Sequence, residues 1–471
     1  MLSYKGYEAV VGVEVHVELR TAEKAFCRCS ARFGDMPNTN VCPVCLGMPG
    51  ATPSLNGDAV RLALRAGLAL GCDISRVSRF DRKHYFYPDL PKGYQITQFY
   101  DPLCRNGEVA FELDGAGKSV GIERIHLEED AGKLSYKDGT LFIDNNRCGV
   151  PLVEIVTYPH MRSGEETIAF VEELRRILLF ADVSDCKMNE GSLRCDVNVS
   201  VRPVGSDVLG NRCEIKNINS VNFIGRAVDS ELVRQTELIL AGGEIHTETR
   251  RFNEDTCQTE YMREKETAAD YRYIREPEIP SIFVDEDYIE AERVKMPPLP
   301  AEREEKLRSL GIKAEAVGVI CHSPVYADYF DSVSSLTTDA VTAANLFVSE
   351  VVPAMKKGDP YPSFEYLAEC ADMYAEGDVN IVSARASLKL SLEEGVSPRK
   401  AAETHGLFML KDEGVLLEMI SSVCMDNEKT VAQIRAGKDS AKKVIVGGVM
   451  KLSGGRAEPR LLSKLVDEYF E

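Results

Sequence analysis

Between Val11 and Leu19 the chain reads VGVEVHVEL, and that alternation restricts the segment to one kind of local structure. Side chains of an extended strand point to opposite faces in turn, so Val11, Val13, Val15, Val17 and Leu19 form one apolar face. Glu14, His16 and Glu18 form the other. A helix would scatter these valines around its axis. A solvated sheet face is one reading of the polar side. The other is a divalent-metal site, because carboxylate oxygens and imidazole nitrogens are ligands that Mg²⁺ or Mn²⁺ accept. One strand cannot surround an ion, so such a site needs partners from elsewhere.

Two stretches offer them. RIHLEEDAGK brings His126, Glu128, Glu129 and Asp130 together, and SLRCDVNVS alternates Cys195, Val197 and Val199 against Arg194, Asp196 and Asn198. Taken singly, these read as an acidic turn and a solvent-facing strand. If the three segments share a sheet, Glu14, His16, Glu129 and Asp196 converge, and their mutual repulsion calls for a cation. A second metal is suggested by FCRCSARFGDMPNTNVCPVC, where Cys27 and Cys29 are followed at a loop's distance by Cys42 and Cys45. Two thiol pairs supply the four tetrahedral ligands of Zn²⁺ and leave no open position, which implies a structural ion. The alternative is four unrelated reduced thiols.

At 471 residues the chain is too long for one simple core, so two or three domains are expected. Its 44% hydrophobic and 28% charged residues suit a soluble globular protein. There is no long apolar run and no signal-like start, so the cytoplasm is the expected compartment, with the 14 cysteines as thiols. The net charge of −19 opposes indiscriminate binding to nucleic acid.

The first part alternates β-rich runs with Gly, Asn and Asp turns: VCPVCLGMPG, LCRNGEVAFELDGAGKSVGIERIHLEED and LSYKDGTLFIDNNRCGV. A largely antiparallel sheet is expected, with two helical insertions. The first opens with Ser163 and Glu166 in capping-box spacing and buries Ile168, Val171, Leu174 and Leu178. The second is GRAVDSELVRQTELILAGG, stopped by Gly242 and Gly243. The prolines of VKMPPLP place a domain boundary near Pro298, beyond which the composition argues helices throughout. The fold class is thus α+β, with a largely antiparallel sheet domain followed by all-α regions. From Lys429 to Lys464 nine cations face only Asp439 and Glu458, a local +7. Ile445, Gly448, Val449 and Leu452 have helical spacing there, so the cations decorate a small helical module suited to phosphate contact.

Read in order, VGVEVHVEL, FDRKHYFYPDLPKGYQITQF, HLEEDAGK, GVPLVEIV, GSLRCDVNVS, EIKNINS and ETRRF…DYRY resemble the GatB family, the tRNA-acting subunits of the aspartyl/glutamyl-tRNA amidotransferases, essentially end to end. The resemblance implies a cradle domain over 1–296, a helical domain over 297–400 and a tRNA-binding tail over 401–471. It implies ATP- and Mg²⁺-dependent phosphorylation of the side-chain carboxylate of Glu-tRNA(Gln) or Asp-tRNA(Asn), then amidation by ammonia. Carried over, the catalytic and Mg²⁺ (or Mn²⁺) residues are Glu14, His16, Glu129 and Asp196, with Glu128 as an open neighbour. Cys27, Cys29, Cys42 and Cys45 match the zinc-bearing members. No Ser/Ser/Lys amidase motif is present, so an amidase subunit (GatA) and a small subunit (GatC) are implied partners, with the cognate aminoacyl-tRNA synthetase an optional one.

ATP has no G-x-x-x-x-G-K-[ST] loop to sit in. Lys83, Lys92, Arg194 and Lys216 are candidates for its phosphates. Tyr85, Phe86, Tyr87 and Tyr94 are candidates for stacking on adenine or the tRNA acceptor end, against core packing as the alternative. In the tail, Lys438, Lys442, Lys443, Lys451 and Arg456 are candidates for the tRNA body. Two competing readings are a non-catalytic tRNA scaffold, which has no use for converging metal ligands, and a metal-dependent hydrolase.

Overall fold

The computed structural model describes residues 3–264 and 270–471, and the chain divides into two compact units after Pro300. The first unit is built on nine strands: β1 (Tyr7–Glu18), β2 (Asp73–Ile74), β3 (Cys104–Leu113), β4 (Ala116–Glu129), β5 (Pro151–Thr157), β6 (Leu193–Pro203), β7 (Cys213–Lys216), β8 (Glu248–Asn253) and β9 (Gln258–Glu264). They form one sheet in the order β9-β8-β7-β6-β1-β5-β4-β3-β2, antiparallel except for the β7/β8 pair. The opening alternation is therefore the sheet's central strand, paired on both sides.

Its apolar face is the floor of the core. Val11, Val13, Val15 and Val17 are buried beside Val153 and Ile155 of β5, Ile125 and Leu127 of β4, and Cys195, Val197 and Val199 of β6. Helices α1 (Gly57–Ala69), α2 (Gly164–Phe180) and α3 (Val221–Leu240) complete this core, with α4 (Glu286–Lys295) against α1. Ser163 caps α2 by accepting from the Glu166 amide at 3.1 Å, and Glu166 in turn accepts from the Arg162 amide at 2.8 Å, one residue before the cap. Val171, Leu174 and Leu178 are fully buried, with Ile168 at the margin. Where α2 meets α3, a Cβ on Gly164 would lie 2.4 Å from the Gly225 carbonyl oxygen, so that crossing admits only glycine.

Three expectations need correction. VCPVCLGMPG forms turns and no strand, because it wraps the cysteine cluster. α1 and α4 add two helices to the two expected. α3 begins at Val221, where Ser220 accepts from the Phe223 amide at 3.3 Å, earlier than its apolar periodicity suggested.

The second unit is helical from Pro300–Ser309 to Pro459–Phe470. It holds two separate apolar clusters, one between Leu307 and Ala402 and one between Leu416 and Val466. Ile445 and Val449 are buried, and Gly448 lets its helix approach Val423, whose Cγ1 would lie 2.5 Å from an added Cβ. Leu452 is exposed, contrary to the apolar face inferred from its spacing, because the helix ends there and turns away.

A candidate metal and phosphate site on the polar face of the sheet

Register determines what shares the polar face. His16 lies opposite Arg194 on β6 and Glu154 on β5, and Glu154 lies opposite His126 on β4, so Arg194, His16, Glu154 and His126 form one row across four strands. One step along, Asp196, Glu14, Val156 and Arg124 form a second row, and Glu128 stands across from Leu152. His16 Nε2 is 3.3 Å from Glu154 and 3.6 Å from Glu128, and His126 Nε2 is 3.5 Å from each. One ligand atom each from His16, Glu128 and Glu154 fall within 4.8 Å of one another, a spacing that one divalent cation can bridge.

The charges are strongly coupled. Burial pulls the His126 imidazole down, but Glu154 and Glu128 outweigh it and lift its pKa to about 9; His16 is raised by the same carboxylates. Burial pushes Glu154 up, yet the two histidines hold it well below the usual carboxylate range, and Glu128 is lowered in the same way. His126 Nδ1 is buried with no hydrogen-bond partner. Glu18, third in the opening alternation, is pushed up to about 7 by burial and then by Asp130.

Sequence reasoning placed Glu129 here, and the structure does not. Side chains alternate along β4, so Glu128 faces the site and Glu129 faces away, where it accepts from Lys92 Nζ and from the Ile96 amide at 2.9 Å. Glu14 and Asp196 are directly opposite each other, but Asn198 donates to Glu14 at 2.9 Å and Lys216 pairs with Asp196 at 2.5 Å, one row away from the His16 group. Glu154 went unnoticed in the sequence. Its signal is a lone carboxylate inside the otherwise apolar PLVEIVT, since a buried charge needs a partner.

Two cavities meet over this face. One of about 300 Å³ is lined by Glu14, Arg124, Arg212, Arg263, Phe99, Tyr271 and Tyr273 among others, and one of about 390 Å³ by Tyr85, Asp130, Arg194, Asp196, Asn217 and Asn219. Both are lined by His16, Glu128, Lys83 and Lys216. The outer wall comes from a small sheet of Asp81–His84, Tyr94–Thr97 and Ile274–Arg275, fastened to β4 where Gln98 accepts from the Leu127 amide at 2.9 Å. Of the nucleotide candidates, Lys83, Lys216, Arg194 and Tyr85 therefore line the cavities. Lys92 and Tyr94 do not: Lys92 is spent on Glu129, and Tyr94 packs under Arg82, 4.3 Å from its ring centroid. Phe86 and Tyr87 are exposed outside both cavities.

The cysteines form a second centre. The sulfurs of Cys27, Cys29, Cys42 and Cys45 lie within 4.8 Å of one another, and Cys42 and Cys45 are 3.9 Å apart. Four sulfurs bound tetrahedrally to zinc sit about 3.8 Å apart, so the set fits that ion. The Cys27 thiol donates to Cys45, the chief reason that Cys45 falls to about 5. Lys24, fully buried, donates to the carbonyls of Asn40 at 2.7 Å and Asn145 at 3.2 Å, with Cys45 Sγ 3.8 Å away.

In the tail, Lys443 and Lys451 are exposed and have no ion-pair partner among the described residues, and Lys438 meets only Gln433. Lys442 is tied to Asp467 at 2.9 Å, and Arg456 to the carbonyls of Ser453 and Gly406. No helix among the described residues is long and apolar enough to cross a membrane.

Comparison with known proteins agrees along the whole chain. The family model described as the GatB/GatE catalytic domain matches residues 9–290, and the one described as the GatB domain matches 328–470. The chain is 43% identical to the GatB-type subunit of the aspartyl/glutamyl-tRNA(Asn/Gln) amidotransferase of Caldicellulosiruptor saccharolyticus, over 99% of both chains. It is 42% identical to the counterpart in Moorella thermoacetica and 44% to that in Caldanaerobacter subterraneus subsp. tengcongensis, each over 98% of this chain and 99% of the relative.

Proposed function

We infer what this chain does from one premise: it belongs to the GatB family of the tRNA-dependent amidotransferases. It is a subunit of an ATP-dependent ligase that forms Gln-tRNA(Gln) or Asn-tRNA(Asn) from the misacylated precursors. In the reading we favour, this subunit both activates the carboxylate and forms the amide. A side-chain carboxylate resists ammonia because it is anionic and its leaving group would be oxide. Attack of a carboxylate oxygen on the γ-phosphorus of ATP expels ADP and leaves an acyl phosphate. Ammonia then attacks the acyl carbon, phosphate departs with the C–O bond, and the amide and a proton remain.

His16, Glu128 and Glu154 are the residues that would hold Mg²⁺ or Mn²⁺, which supplies charge neutralisation on the phosphates when bound. Around them, Lys83 and Lys216 face both cavities and orient anionic groups between them. Arg194, held by Asp130 at 2.8 Å, presents a fixed guanidinium to the second cavity. The observation that carries this reading is the convergence of the imidazole and two carboxylates beneath a cavity rich in cations. A tRNA scaffold alone would have no use for buried anions beside RNA.

Beyond the site itself, Cys27, Cys29, Cys42 and Cys45 hold a structural Zn²⁺. An amidase subunit (GatA) supplies ammonia and a small subunit (GatC) completes the complex in the cytoplasm, with the cognate synthetase as a further contact. The two separate clusters of the helical unit support a division into a helical domain, proposed over 297–400, and a tail, proposed over 401–471, with Ala402, Leu407 and Phe408 packing on the first cluster. The tail cations unpaired among the described residues, Lys443 and Lys451, support contact with the tRNA body.

The test is reconstitution with the two partner subunits and measurement of amide formation on Glu-tRNA and Asp-tRNA, with ammonium as nitrogen donor. Wild type is expected to require ATP, and His16→Ala and Glu154→Ala are expected to lose amidation while tRNA binding persists. Full amidation in both variants would leave the scaffold reading in its place.

A further inference from the structure

Most cations around the site are already balanced. Lys216 is paired with Asp196 and with Glu214 at 3.4 Å, Arg194 with Asp130, and Arg124 with Glu123 at 2.9 Å; Arg263 donates to the Tyr87 hydroxyl. Two are not. Among the described residues, neither Lys83 nor Arg212 has a carboxylate partner. Lys83 is pinned from one side by aromatic rings, with Nζ 4.7 Å from the Tyr271 centroid and 5.9 Å from that of Tyr85. Their places differ as well: Arg212 lines only the first cavity, whereas Lys83 lines both, as do His16 and Glu128.

The two cavities also differ in chemistry. The first gathers Arg124, Arg212 and Arg263 with Phe99, Tyr271 and Tyr273, which suits a polyphosphate joined to a flat base. The second gathers Asp130, Asp196, Arg194 and the amides of Asn217 and Asn219, which suits a zwitterionic aminoacyl group. Asn217 is held at φ +61°, in the left-handed region, where a non-glycine residue is uncommon.

We propose that ATP occupies the first cavity with Arg212 on its non-transferred phosphates, that the aminoacyl ester occupies the second, and that Lys83 at their junction grips the phosphoryl group in transit. This rests on the proposed function above. Arg212 then contributes equally before and during transfer, while Lys83 meets charge only where the phosphoryl group leaves one oxygen for another.

The reconstituted complex, assayed with ammonium while ATP and Glu-tRNA are varied separately, tests this. Arg212→Ala is expected to raise KM for ATP by about tenfold, the loss of one charge-assisted phosphate contact, with kcat and the KM for tRNA nearly unchanged. Arg212→Lys should recover part of it. Lys83→Met is expected to lower kcat about a hundredfold with little change in either KM, as for loss of one preorganised donor to a developing charge. Lys83→Arg should restore a measurable fraction. Binding of a non-hydrolysable ATP analogue without tRNA should weaken in Arg212→Ala and hold in Lys83→Met. A raised KM for tRNA in Arg212→Ala would reverse the two cavities and overturn the assignment. Unchanged kinetics in both variants of an ATP-dependent complex would overturn this inference alone, and amidation by wild type without ATP would overturn the reading beneath it.

Discussion

Replacing Glu154 by glutamine keeps the shape of the side chain and removes one charge from the buried row. Glu154 lies 3.5 Å from His126 Nε2. Coulomb's law at an effective dielectric near 20 gives about 5 kcal/mol for two unit charges at that distance, more than three pKa units; with the screening doubled, about 1.7 units remain. His126 should therefore fall from about 9 by at least a unit and a half, toward the value that burial imposes, Glu128 alone still holding it up. The assay is a histidine-selective NMR titration of the metal-free chain, tractable because it has seven histidines. The sign for stability follows. A pKa raised by folding gives stabilisation that is complete below the unfolded value of 6.5 and is lost as pH rises through about 9, so wild type should lose stability between those limits and the variant far less. A shift below one unit, or an unchanged alkaline loss in the variant, would refute the geometry of the row.

Other outcomes are expected from single features. Glu231 is fully buried, accepting from Arg234 at 2.8 Å and from Gln235 at 2.7 Å; burial raises its carboxyl, but Arg234 more than offsets this and holds it below the usual range. Glu231→Ala should cost about 3 kcal/mol, read by denaturant unfolding of the first unit, and the stability that wild type loses as pH falls through the lowered carboxyl pKa should be absent from the variant. Gly164→Ala should destabilise by roughly 2 kcal/mol or more in thermal unfolding, since the obstructing atom is backbone. Cys45→Ser should lower the zinc content measured by metal analysis and slacken hydrogen-exchange protection of residues 24–50. Lys443→Gln with Lys451→Gln should reduce the slope of log Kd for tRNA against log salt by about 1.5, with equal loss for all tRNA sequences.

The sheet and its central strand were legible because the periodicity of Val11 to Leu19 is a backbone property that tertiary context could only confirm or bury. Pairing was not. Nothing in HLEED tells which of its consecutive carboxylates shares a face with His16, since that depends on the register of β4 against β5. Glu154 was hidden by its surroundings: within PLVEIVT the apolar neighbours signal a buried strand and mask the charge that pairs with His16 and His126. α1 was missed although its start is signalled, since Asn56 accepts from the Asp58 amide ahead of an alanine- and leucine-rich run that favours a helix. Arg212 sits in an irregular loop, where spacing carries no information about direction. The cysteine cluster was legible for the opposite reason, since its chemistry requires only four thiols and a loop long enough to gather them.

The opposed carboxylates of Glu128 and Glu129 have a mechanical consequence. Glu129 holds Lys92, and Lys92 lies against Gly47, where an added Cβ would stand 2.6 Å from its Cγ, just past Cys45. Glu128 and Glu129 are consecutive on β4, so a single peptide unit separates the carboxylate beside the histidines from the one that holds Lys92 next to the cysteine loop. If the proposed ions occupy both centres, removing zinc with a chelator is expected to weaken Mg²⁺ affinity at the histidine row, measured by calorimetric titration, although no cysteine reaches that row.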